Sequence, residues 1–364
     1  MKTSALTLAC LLAFAAAPLF GADAPTSAPA AAPAASGPYK LLKEIPIPTG
    51  GTGWDYLTVD SEAHRLYVTN GNSVVAIDTE KDAVVGQVDG LTGVHGFAVA
   101  PKLGRGFASN GRGNNVSVVD LKTLKTLSTM ATGQNPDWIL HEPSQNEIYT
   151  CNGNSKDLSV FNADTGKAVA TIPLGGKPET ALADPSLGRL FINLEDTDEI
   201  AVVDIKTHTV AARWPIAPHA GATGMAIDLA HKRLFLGAAG SNSMPMLDYT
   251  TGKVVASVPT GTGVDATAFD PGTQLAFSSG GGVGTVTVAH EDAPDKLTVV
   301  QTLTTARGSR TMTLDPATHK ISLAAVSYAT PAAGAAPARG RRGGAPVAGS
   351  FHVLVYGYEA PAKK

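Results

Sequence analysis

The sequence predicts an all-β protein: a seven-bladed β-propeller of four-stranded blades, with an N-terminal strand completing the last blade. Three observations predict it. A strand-and-turn motif, "RLYVTN" at Arg65, returns as "RGFASN" at Arg105, "EIYTCN" at Glu147, "RLFINL" at Arg189 and "RLFLGA" at Arg233. Residue pairs ending the preceding strand fall at Asp60, Ala100, Glu142, Asp184, Asp228, Asp270 and Asp315, spaced by 40, 42, 42, 44, 42 and 45 residues. Each interval holds four short runs of period-two apolar residues, and four strands per ~40–45 residues is the period of propeller blades.

Within a unit, strand a carries apolar residues one and three places before its end, as Leu57 and Val59 or Met225 and Ile227 do. Strand b is the opening motif. Strand c reads "SVVAID", "VSVVD", "LSVFN", "IAVVD" or "MPMLD", and its final Asp or Asn leads into a turn whose N–H groups a short polar side chain satisfies. Strand d reads "AVVGQV", "AVATIPLGG" or "VVASVPTG". The seventh unit lacks a strand d of its own, while "YKLLKEIPIPTGG" at Tyr39 has that pattern far upstream. Pairing the two ends closes the ring and removes an exposed edge.

Composition bounds the rest. Of 364 residues, 16 % are charged and the net charge is −3, without the basic excess that nucleic-acid binding calls for. The first 22 residues read as a secretory signal peptide: Lys2, then "ALTLACLLAFAAAPLF", then small residues, with cleavage expected near Ala22. The apolar run is too short for a membrane span. Cys10 lies inside it without a lipobox, so lipidation is not expected. Residues 23–38 form a Pro/Ala-rich tether, 39–358 the propeller and 359–364 a tail. A low-complexity insert at 329–350 holds Arg339, Arg341 and Arg342. Cys151 is the single cysteine left after cleavage, so an oxidising compartment brings no internal disulfide.

Repeat and period together resemble the YVTN-repeat, or YncE-like, propellers. That resemblance implies an extracytoplasmic binding scaffold and carries over no catalytic motif, since a fold by itself does not define a function.

Topology then locates candidate chemistry. The d–a and b–c loops share one face, the top, at the channel mouth. Five residues before each strand-a end stand Asp55, His95, Asp137, Glu179, Thr223, Asp265 and Arg310, six of them ionisable in a chain poor in charge. Asn70, Asn110 and Asn152, with Asn193 one place earlier, end strand b on the same face, and Trp54 and Trp138 flank the rim. These residues suit a cation, a sugar or another small polar ligand, or a partner protein; equally, each suits the anchoring of its own loop. Oxygen-rich Asp55, His95, Asp137 and Glu179 allow Ca²⁺ or Mg²⁺. No other cofactor is expected: no His/Cys cluster has zinc spacing, and no Cys-x-x-Cys-His is present to attach haem covalently. The alternative is a lactonase-like or other hydrolytic enzyme, by analogy of fold alone. In it His95 is the base, Glu179 or Asp137 its partner and Arg310 a carboxylate clamp. No Gly-x-Ser-x-Gly elbow supports a serine hydrolase. His219 is a secondary ligand candidate, His208, His231 and His319 are expected on exposed turns, and a monomer is expected.

Overall fold

The computed structural model describes residues 37–47, 51, 53–329 and 345–360. The stretch expected to be a signal peptide, residues 23–36 of the expected tether, Cys10 and the three arginines of the insert lie outside these residues.

Seven four-stranded antiparallel sheets make the ring. In blade 1, strand a is Leu57–Asp60, b Arg65–Asn70, c Ser73–Asp78 and d Ala83–Val88. Each run is the one expected from the repeat, and the other blades follow it in order. Blade 7 is assembled from both ends of the chain: Met312–Asp315, Lys320–Ala325, His352–Tyr358 and, outermost, the N-terminal Tyr39–Pro46.

A blade is a sheet with two apolar faces, and each face is covered by a neighbour. Residues at the third place of strand b carry much of that burial: Tyr67, Phe107, Tyr149, Phe191, Phe235 and Phe277 are all 2 % exposed or less. Tyr67 packs on Phe97 of the next blade at 4.8 Å, and Phe235 on Phe269 at 4.7 Å, distances typical of aromatic pairs. The residue that precedes strand b takes positive φ in every blade. It is Gly104 and Gly188 in two blades and His64, Asn146, Lys232, Gln274 and His319 in the others. The a–b turn geometry is therefore fixed by the fold even where the side chain does not favour it.

Closure rests on Tyr39. Its ring meets Phe277 of blade 6 edge-on at 5.0 Å, its hydroxyl donates to the His319 carbonyl at 2.8 Å, and its backbone N–H and C=O are both read by the Gln301 amide at 2.9 Å. The pairing Tyr39↔Tyr358 to Pro46↔His352 then runs the length of blade 7, broken by one bulge at Leu41/Lys43. The insert leaves the b–c connection of blade 7 across a bridge between Tyr328 and Pro346.

Tyr39→Phe removes one hydrogen bond and is expected to cost about 1 kcal/mol. Tyr39→Ala, which also opens a cavity between blades 6 and 7, should cost on the order of 3 kcal/mol or more. Urea denaturation of the two variants checks both values.

Candidate functional site at the channel mouth

Strand a of each blade starts at the mouth, and its first residues are positioned by the end of strand b. In blade 1 the Thr69 hydroxyl accepts from the Asp55 N–H at 3.1 Å and donates to the Tyr56 carbonyl at 3.0 Å. Ser109 accepts from the Gly96 N–H at 2.9 Å, and Ser279 accepts from the Asp265 and Ala266 N–H groups at 3.3 and 3.0 Å. A small hydroxyl at one phase of strand b thus fixes the backbone beside a rim side chain on strand a. In blade 3 that phase holds Cys151, fully buried, its thiol pushed well above the usual range by burial and by the nearby Asp137 and Glu179 charges.

Side chains at the rim join into an arc. Arg310 Nε bonds Asp265, and its Nη2 lies 3.4 Å from Asp55 Oδ1. Asp55 Oδ2 is 2.6 Å from His95 Nδ1, which in turn lies 3.6 Å from Asp137 Oδ1. The chain of charge therefore runs Asp265–Arg310–Asp55–His95–Asp137 through blades 6, 7, 1, 2 and 3. Glu179 of blade 4 is drawn to Lys177 at 2.5 Å, and Lys177 also holds Glu195 at 2.5 Å. Thr223 of blade 5 turns its hydroxyl into the backbone, toward Gly237 and Val264 carbonyls, and closes the polar circle without charge.

Electrostatics at the rim are those of too many carboxylates for the cations present. Burial, reinforced by Asp55, pushes Asp137 up to about 7. Burial and Asp137 push Glu179 up to about 8 against the pull of Lys177. Asp265 is raised by burial despite Arg310. For His95, burial alone would favour the neutral ring, but the Asp55 hydrogen bond and the charges of Asp137 and Asp55 reverse that, and the imidazolium is favoured. Asp137 Oδ1 has no hydrogen-bond donor.

Other residues expected at the rim serve it differently. Asn70 is 4 % exposed and spends its amide on Gly51 and Gly53; Asn110 and Asn152 are 2 % and 0 % exposed and bond Ser117 and Ser159, respectively. Asn193 donates to the Thr223 and Gly224 carbonyls of the next blade. Trp54 packs on Phe351, and Trp138 donates to the Ala181 carbonyl at 2.8 Å while meeting Tyr56 edge-on at 4.8 Å. Tyr56 was not singled out in the sequence. It sits within the field of Asp137, Asp265, Asp55 and Glu179, which adds to burial in raising its phenol. Its signal was its place next to a rim residue, directly before the strand that lines the channel. Tyr56, Trp138, Thr58 and Thr313 help to wall a cavity of about 270 Å³ among the innermost strands of blades 1, 2, 3 and 7. His219 bonds Ser243 at 2.9 Å. The turn histidines, expected to be exposed, are half-buried beside carboxylates: His208 bonds Glu147 at 3.0 Å and His319 bonds Asp270 at 2.7 Å, while His231 Nδ1 lies 2.6 Å from Asp228 Oδ2 without hydrogen-bond geometry.

The molecule is thus a seven-bladed β-propeller with an ionic channel mouth. The chain belongs to the cytochrome D1 heme domain family, whose profile matches residues 64–302, from the turn before strand b of blade 1 to strand d of blade 6. Among curated proteins there is no match. Among solved structures the chain is similar to Kuenenia stuttgartiensis hydrazine synthase, at 18 % identity and a TM-score of 0.49, over 65 % of this chain and 95 % of that one.

The family description raises the question of heme, and the mouth does not fit it. A histidine bound to iron must offer a ring nitrogen, and His95 Nδ1 is already spent on Asp55. The rim side chains that a macrocycle would meet are charged and bonded to one another, not the apolar walls such a ligand needs.

With Asp137, Glu179 and His95 all raised, the folded state holds protons near neutrality that the unfolded chain has released. Stability is therefore expected to fall as pH rises from about 5 through about 8. Asp137→Asn should flatten that slope and raise Tm at pH 8 more than at pH 5.5, as thermal melts at the two pH values would show.

Proposed function

We propose that this chain is an exported binding propeller whose channel mouth takes a small, positively charged polar ligand or divalent cation. The observation that carries this reading is the under-neutralised carboxylate arc. Four rim carboxylates from blades 1, 3, 4 and 6 face inward with Arg310, His95 and Lys177 as the nearby cations, and Asp137 has an oxygen with no donor. A cation entering beside Asp137 would relieve repulsion that the fold otherwise leaves in place, and charged hydrogen bonds to it would be stronger than neutral ones. The carboxylates of Asp55 and Asp137 present oxygen atoms within 4.8 Å of each other, which keeps Ca²⁺ or Mg²⁺ among the candidates. Tyr56 and Trp138, at the cavity wall, offer an aromatic surface against the organic part of an ammonium ligand.

Export rests on the N-terminal pattern at residues 1–22, and no helix among the described residues is long and apolar enough to cross a membrane. The YVTN-repeat resemblance is retained as the finer placement of this propeller. The hydrolytic alternative draws less support. The carboxylate bonded to His95 is Asp55, and Glu179, the partner that reading calls on, is engaged by Lys177.

The mature chain is expected to be stabilised in thermal-shift assays by organic mono- or diamines or by Ca²⁺ or Mg²⁺, and not by matched carboxylates, because a ligand bound to the native state raises Tm. Asp137→Asn and Asp55→Asn should each weaken that stabilisation at least tenfold in ligand concentration. Stabilisation by anionic or uncharged ligands alone, or by cations equally in both variants, would overturn the reading.

A further inference from the structure

The a–b turns lie at the far end of the strands from the mouth, and there the junction between blades 5 and 6 departs from its neighbours. At the blade 4/5 junction, Asp184 Oδ2 receives the Lys232 ammonium at 3.0 Å and the Tyr249 hydroxyl at 2.9 Å. At the blade 6/7 junction, Asp270 Oδ2 receives His319 at 2.7 Å and Thr273 at 2.8 Å. In both, a buried carboxylate is met by donors. The corresponding carboxylate at the blade 5/6 junction is Asp228. Blade 6 places Gln274 where blade 5 has Lys232, and Glu291 where it has Tyr249. The equivalence is fixed by matching backbone bonds, Tyr249 N–H to the Lys232 carbonyl and Glu291 N–H to the Gln274 carbonyl. A second carboxylate therefore stands where the fold elsewhere puts a hydroxyl donor.

Glu291 and Asp228 have side chains only 1 % and 3 % exposed. Among the described residues, neither Glu291 oxygen has a hydrogen-bond donor, and neither does Asp228 Oδ2. His231, half-exposed, completes the group. Its Nδ1 is 2.6 Å from Asp228 Oδ2 and 3.5 Å from Glu291 Oε1, yet it is in hydrogen-bond geometry with neither. Three ligand atoms from three side chains lie within 4.8 Å of one another. Leaving two buried carboxylates together without a cation is costly. Burial and the Asp228 charge accordingly push Glu291 up to about 7.

We propose that Asp228, His231 and Glu291 bind a divalent first-row transition cation, of the Zn²⁺ or Mn²⁺ class, at the base between blades 5 and 6. One imidazole with two carboxylates is a nitrogen–oxygen set suited to those ions, whereas Ca²⁺ and Mg²⁺ take oxygen alone. The open side of His231 leaves room for water to complete the coordination. Because Asp228 and His231 belong to blade 5 and Glu291 to blade 6, the ion would pin two blades together, and its binding energy would add to the stability of the ring.

The test uses the mature chain with the mouth silenced by His95→Ala and Asp137→Asn, so that its outcome is independent of the function proposed for the mouth. After chelation, loading with Zn²⁺ or Mn²⁺ and gel filtration, elemental analysis should find about one equivalent retained, and Tm should rise with added metal. Adding Glu291→Gln or His231→Ala to that background should lower occupancy at least tenfold and remove the Tm shift, with far-UV circular dichroism unchanged. Glu291→Gln keeps the shape and removes the charge repulsion, so its metal-free form should melt no lower than the parent. No retained metal in the background, or retention unchanged by both variants, would overturn the proposal. So would a Glu291→Gln form that gains stability while the parent ignores metal, since the pair would then be holding a proton.

Discussion

A four-stranded blade has two apolar faces and no means of covering either, and everything else in this molecule depends on that constraint. Each blade is stable only between two others, so the last must meet the first. The chain meets the requirement with Tyr39–Pro46, which crosses the whole sequence to pair with His352–Tyr358. Tyr39 fixes the junction by touching blade 6 through Phe277 and Gln301 and blade 7 through the His319 carbonyl. With the ring closed, strand a of every blade points its start at one small circle. The crowding of charge there is a geometric consequence of closure: residues some 40 positions apart become hydrogen-bond neighbours, as Asp55 and His95 do.

That circle is asymmetric in a way that gives it chemistry. Were every rim residue neutral, each would anchor its loop and nothing more, which is what Thr223 does. Arg310 and His95 flank Asp55, so the carboxylates of blades 6 and 1 are largely answered. Compensation thins out toward blades 3 and 4, where Asp137 and Glu179 repel each other and Lys177 answers only the second. The site is thus polarised across the mouth, cationic on one side and proton-hungry on the other. On the function proposed above, a ligand carrying positive charge would settle on the Asp137 side.

Most of the architecture was legible because it is written seven times. The strand ends in blade 1 fall where the alternation of "RLYVTN" and "SVVAID" puts them, and the N-terminal run was recognisable as a strand d from blades 3 and 5. Rim residues were legible for the same reason, as a fixed phase counted back from each strand end. What the repeat could not reveal is how far a side chain leans once it reaches the mouth. Asn70 and Asn152 share the rim's face, yet their amides are consumed by their own surroundings. Glu179 shares the phase of Asp137, yet is claimed by Lys177 two residues earlier. Tyr56 was overlooked because an aromatic residue directly before an inner strand reads as core, whereas its phenol feels the charge of the rim carboxylates. The histidines in the turns looked solvated because a turn is exposed as backbone, but each finds a carboxylate.

Both carboxylate clusters arise from one kind of substitution. A repeat fixes the backbone and leaves each position free to vary, so an acid can replace a donor without disturbing the strand that carries it. At the mouth, Asp137 Oδ1 lies 3.6 Å from the His95 Nδ1 that Asp55 already holds, and it is left without a donor among the described residues. At the base, Glu291 replaces the hydroxyl that answers Asp184 one junction earlier, and both its oxygens are left. In a chain with only 16 % charged residues, two such concentrations at opposite ends of the strands are not the residue of a polar surface. Buried carboxylates without donors weaken a fold unless something else neutralises them. The ring can carry that cost because its stability is spread over seven interlocked faces, and this surplus allows one blade junction and one mouth to depart from the pattern the others keep.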